Sequence, residues 1–153
     1  VSKLLPYVIG GLALAGVAVV VTKALAPTPA ASGHNMAMPD LSQIAQGAPI
    51  VKVKLPAELS PLAQMGKVAF DAKCSTCHGE NAAGRNGKAP PLVHPYYRPG
   101  HHADAAFLIT AQAGVRAHHW PFGNMPPVKG VTQADVKAIV AYVRTLQDAN
   151  GIF

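Results

Sequence analysis

Cys74-Ser75-Thr76-Cys77-His78 holds the only two cysteines of the chain. Three residues is close to one helical turn, so both thiols lie on one side with the His78 imidazole beside them. C-x-x-C-H is the spacing at which haem is attached covalently. Each thiol forms a thioether to a vinyl group, and the histidine turns its ring to the iron. Any fold built around this run must leave a crevice for a large flat ring. Three rival readings of the cysteines are incomplete. A structural zinc site needs four ligands, usually two Cys/His pairs, and there is no second Cys pair. A thioredoxin-like dithiol belongs in a βαβ setting, and the Val/Ile-rich strands of such a sheet are missing. A Cys74–Cys77 disulfide would close a very short loop and add little.

A chain of 153 residues allows one modest domain plus appendages. Its formal net charge is +6 before any haem propionate is counted. A basic electron carrier suits an acidic docking partner or an anionic membrane surface. Nucleic acid is a poor partner, because the charges are dispersed and no nucleic-acid motif occurs. Leu4 to Thr22 is an almost unbroken apolar run between Lys3 and Lys23. About 20 such residues cross a bilayer core, whereas the apolar region of a signal peptide is ~7–15. Pro27 also directly follows the cleavage-like Ala24-Leu25-Ala26. Residues 1–26 are therefore expected to be an uncleaved transmembrane anchor, inserted through residues 4–22. Gly11, Ala15 and Gly16 give it a small-residue face on which another membrane helix can pack. The lysines at its two ends leave only a weak orientation signal.

Prolines recur from Pro27 to Pro56 among Ala, Ser and Gly, and residues 27–59 read as a linker. Within it, Val51-Lys52-Val53-Lys54-Leu55 alternates apolar and basic residues, as in an edge strand or an extended contact with a partner. His34, Met36 and Met38 are ligand types suited to copper, but spacing does not show that they converge.

The remaining residues, 60–153, read as an all-α domain. Ser60 suits an N-cap and Pro61 the first helical position. Leu62, Met65, Ala69 and Phe70 follow at helical spacing, in a helix expected to run straight into Cys74. A second helix is expected from Asp104 to Ala113, stopped by Gly114. The third is the clearest: Thr132 caps it, Asp135 lies three residues on, and Val136, Ile139, Val140, Val143 and Leu146 form its apolar stripe. A domain this small gains much of its apolar core from a bound haem. The iron needs a second axial ligand. Met125, in the stiff loop Phe122-Gly123-Asn124-Met125-Pro126-Pro127, offers a soft thioether. His118 or His119 would instead give a bis-His haem, and a sixth position left open would permit ligand or peroxide chemistry.

The C-S-T-C-H run, G-x-x-x-F in the first helix, A-P-P-L after the haem loop, N-M-P-P and an aromatic in the last helix together resemble class I c-type cytochromes, from about Leu59 to Gln147. Anchor, linker and haem head resemble the membrane-anchored monohaem bacterial type. The resemblance implies one covalent haem c, with His78 and Met125 on the iron. It implies that the Pro90 carbonyl accepts a hydrogen bond from the His78 ring, and that Gly66 and Phe70 meet the last helix near Tyr142. It also implies haem attachment outside the bacterial cytoplasmic membrane, hence a single-pass inner-membrane protein with its haem domain in the periplasm. The implied function is one-electron transfer rather than enzymic catalysis. A quinol-oxidising complex would be the donor, and a terminal oxidase or photosynthetic reaction centre the acceptor. A fixed haem subunit of a larger respiratory or photosynthetic complex, and an open-site haem enzyme such as a peroxidase, are the alternatives. Lys73, Arg85, Lys88 and Lys129 are candidates to steer an acidic partner. His94, His101, His102, His118 and His119 depart from the family pattern and have no role within it.

Overall fold

Two helices meet at a residue with no side chain, and that meeting organises the domain. In the computed structural model α1 spans Pro61–Lys73 and α4 spans Gln133–Ala149. A Cβ placed on Gly66 would lie 1.9 Å from the Ala138 carbonyl oxygen, so only glycine lets the two backbones come this close. One helical turn on, the Phe70 and Tyr142 rings pack with centroids 5.7 Å apart. Ala63, Phe70, Ile139, Tyr142, Val143 and Leu146 form the centre of the core. The structure describes residues 39–153, which fall in one compact unit spanning Ala37–Phe153.

Both long helices start where their capping residues lie. The Ser60 hydroxyl accepts from the Ala63 N–H, with Pro61 in the first turn. Thr132 and Asp135 form a complete capping box, each satisfying the other's backbone N–H. Between them lie α2, Ser75–His78, and α3, Asp104–Ala113. Single 3₁₀ turns occur at Glu80–Ala82 and Pro95–Tyr97. The described residues contain no strand, only isolated bridges between Arg85 and Ala89 and between Val115 and Met125. The domain is all-α.

Helix α1 runs straight into Cys74, as expected, and Cys74 both ends it and opens α2, at φ −118° and ψ −35°. Two expectations are corrected. The apolar face of α1 is rotated from the expected stripe: Ala63, Gly66 and Phe70 are buried, while Met65 is 60% and Leu62 38% exposed. The close approach at Gly66 decides which face turns inward, and hydrophobic spacing carries no trace of it. Finally, the segment expected as linker up to residue 59 lies on the domain over its described C-terminal part. The Ile50 and Val51 amides both donate to the Ala83 carbonyl, and Asn86 Nδ2 donates to the Ile44 carbonyl. Asn150 bonds both the amide and the carbonyl of Lys54. Val51 and Val53 pack on the core, while Lys52 and Lys54 are exposed. The alternation is real, and the surface it covers is the chain's own domain.

Among the described residues no helix is long and apolar enough to cross a membrane. The anchor expected over residues 4–22 and the copper-ligand candidates His34, Met36 and Met38 lie outside them.

Candidate haem site

The kink at Cys74 sets the geometry of the motif. The Cys74 carbonyl accepts from both the Cys77 and His78 amides, closing one tight turn that carries both thiols and the imidazole. The thiols are free, Cys77 exposed and Cys74 half-buried. Burial, and then the neighbouring Cys77, push the Cys74 thiol up to about 11. A thiol so held stays protonated at neutral pH.

His78 is buried, and its Nδ1 lies 2.9 Å from the Pro90 carbonyl oxygen. A carbonyl only accepts, so Nδ1 carries the proton and Nε2 keeps its lone pair for a metal. Burial lowers the pKa of the ring, with the Pro90 bond acting in the opposite sense, which favours the neutral, ligating form. The loop that brings Pro90 back is held along its length. The Gly84 amide bonds the His78 carbonyl, and the Leu92 amide bonds the Ala82 carbonyl. Gly79 and Gly84 take positive φ where a Cβ would strike backbone at 2.4 and 2.5 Å.

Met125 is fixed by its backbone rather than by a helix. Its N–H and C=O both pair with Val115, each bond 2.9 Å long. Gly114 turns the chain at the end of α3 with φ +75°, and a Cβ there would lie 2.5 Å from the Met125 carbonyl oxygen. The Asn124 side chain accepts from the Ala117 amide, and the Val128 amide returns to the Ala111 carbonyl. A stiff loop results, as the prolines and Gly123 suggested.

Cys74, Cys77, His78, Pro90, Met125 and Trp120 line one cavity of about 400 Å³. His118 and His119, the rival axial candidates, also reach its wall. Two further features of the lining bear on haem. The wall is mostly apolar, as a porphyrin ring requires. One buried ring nitrogen, His119 Nδ1, has no hydrogen-bond partner among the described residues. Buried polar groups are rarely left so. His119 lines the cavity, and a ligand bringing acceptor oxygens, as haem does with its propionates, would satisfy it. The residues present therefore fit the group.

Sequence reasoning missed Arg144 and Gln147, which hold the backbone of Leu92, Tyr97 and His102, three residues of the cavity wall. Arg144 binds Asp104, the Tyr97 and His102 carbonyls and Gln147. Gln147, fully buried, donates to the Leu92 and Tyr97 carbonyls. Its signal was available: a glutamine four residues after Val143, on the apolar stripe of α4.

A model of the cytochrome c family matches residues 63–147, which include the motif, the Pro90 loop and Met125. The cbb3-type cytochrome c oxidase subunit CcoP of Azospirillum brasilense is 36% identical over 90 residues, 55% of this chain and 28% of that protein. This chain thus spans well under a third of that relative's length. No solved structure matches. Motif, cavity and family match agree: the chain belongs to the cytochrome c family, a class I c-type cytochrome with one covalently bound haem c.

Proposed function

We propose that this chain is a membrane-anchored carrier of single electrons between redox complexes on the periplasmic side of a bacterial inner membrane. The carrying observation is that both axial candidates are pre-positioned at one cavity: His78 by the Pro90 carbonyl, Met125 by its paired bonds to Val115. In this reading Cys74 and Cys77 hold the haem through thioethers, and His78 Nε2 and the Met125 thioether fill the two axial positions. Pro90 orients the His78 ring. The haem supplies a ferric/ferrous couple. The chain's part is to keep both ligands in place in either state, so that little rearranges on electron transfer. With both positions filled, no substrate reaches the iron, which is why a carrier is favoured over an open-site enzyme. Lys73, Arg85, Lys88 and Lys129 are all exposed, and Lys73 and Lys88 border the cavity, where they would receive an acidic partner.

The test is spectroscopic. The oxidised protein should show a methionine-to-iron charge-transfer band that disappears in Met125→Ala. A band absent from the unaltered protein, together with peroxide turnover, would overturn the six-coordinate reading.

A second reading has its own support. The relative CcoP is named as an oxidase subunit, and Met65 and Val68 stand 60% and 71% exposed on α1. Exposed apolar side chains of this size suit a permanent neighbour in a respiratory complex. Solubilising membranes in mild detergent separates the two. A carrier migrates alone, and a fixed subunit co-migrates with its complex.

A further inference from the structure

Five histidines crowd two segments that the electron-transfer reading leaves unused. His94, His101 and His102 come from the stretch after the haem loop, and His118 and His119 from the loop before Met125. In space three of them converge. The ligating nitrogens of His101, His102 and His119 all lie within 4.8 Å of one another. We propose that these three imidazoles form a site for a borderline divalent transition metal of the zinc class, separate from the iron.

One distance matches this class of metal directly. Two nitrogens bound to one tetrahedral zinc at about 2.0–2.1 Å stand roughly 3.3–3.4 Å apart. His101 Nε2 and His119 Nε2 are 3.3 Å apart. The third ring is prepared in the same way as a metal ligand. His102 Nδ1 lies 2.5 Å from the Tyr96 carbonyl oxygen, so Nδ1 carries the proton and Nε2 is left with its lone pair. The nearby cation, Arg144, is engaged by Asp104, Gln147 and two backbone carbonyls. An all-imidazole set with a fourth position for water suits zinc, copper or nickel rather than magnesium or calcium.

The position gives the site a role. His101 and His102 precede α3, whereas His119 follows it, six residues before Met125. A metal there clamps together the two loop segments on one side of the haem cavity.

The test uses the full-length, haem-loaded protein without a histidine tag, titrated with Zn²⁺ alone against a competing chromophoric chelator. One Zn²⁺ per chain is expected, with affinity falling at least about tenfold in both His101→Gln and His119→Gln. His34→Ala, which removes the imidazole of the N-terminal segment, should leave affinity unchanged. His101 is only half-buried and does not line the haem cavity, so His101→Gln keeps the test valid if the buried His119 variant misfolds, and an unaltered haem spectrum certifies it. No stoichiometric uptake, uptake undiminished in His101→Gln, or its loss in His34→Ala would overturn the proposal.

Discussion

The two sides of the haem cavity are built by different physics. The side from Cys74 to Leu92 is a backbone structure. Its turns close on backbone hydrogen bonds, its glycines sit where no Cβ fits, and the 44–55 segment is bonded along its outer face. The side from His94 to Trp120 is largely a side-chain structure, closed at Met125 by the backbone pair with Val115. Aromatic and imidazole rings pack on one another there, with Tyr96 on His119 at 4.7 Å and His118 on His119 at 4.3 Å. It also holds His119 Nδ1, a buried nitrogen without a partner among the described residues. A backbone-built wall is fixed by atoms that every residue carries. A ring-built wall depends on the identity of each side chain in it.

Changes to the first wall should therefore remove the cofactor or the fold, and changes to the second should retune a protein that remains intact. The largest effect is expected from replacing both Cys74 and Cys77 by alanine. No haem should then remain with the polypeptide on a denaturing gel stained for haem, whereas the unaltered chain keeps it. Gly66→Ala comes next. Its methyl would overlap the Ala138 carbonyl, forcing α1 and α4 apart at a cost of about 3 kcal/mol, read from the midpoint of denaturant unfolding. Met125→Ala, on the second wall, should keep its covalent haem and helical content while its midpoint potential falls, measured by redox titration. Loss of haem from this variant would erase the proposed contrast between the walls. The smallest effect belongs to Tyr142→Phe. It breaks the 2.9 Å bond to Asn81 that ties the haem loop to α4 and should cost about 1 kcal/mol without altering the visible spectrum.

The parts of this molecule governed by local chemistry could be read from its residues. Ser60 with Pro61, and Thr132 with Asp135, mark the helix starts because capping involves only neighbours along the chain. The C-x-x-C-H turn is local in the same way. What escaped reading depends on partners distant in sequence. Met65 and Leu62 carry the hydrophobicity of a core, yet Gly66, which has none to contribute, decides the buried face. Pro- and Ala-rich composition marks 39–59 as linker, because nothing local announces that Asn86 and Asn150 will receive it. The five histidines are evident in the sequence, but the meeting of His101 and His102 with His119 depends on a chain reversal across α3.

The paired bonds between Val115 and Met125 act as a neck that closes the loop of residues 116–124 at its base. Because Met125 is positioned at the neck, placing the thioether does not fall to the rings beyond it. Buried His119 and Trp120 are left to close the cavity wall, so one short stretch of chain fixes a ligand at its base and lines the cavity with its tip.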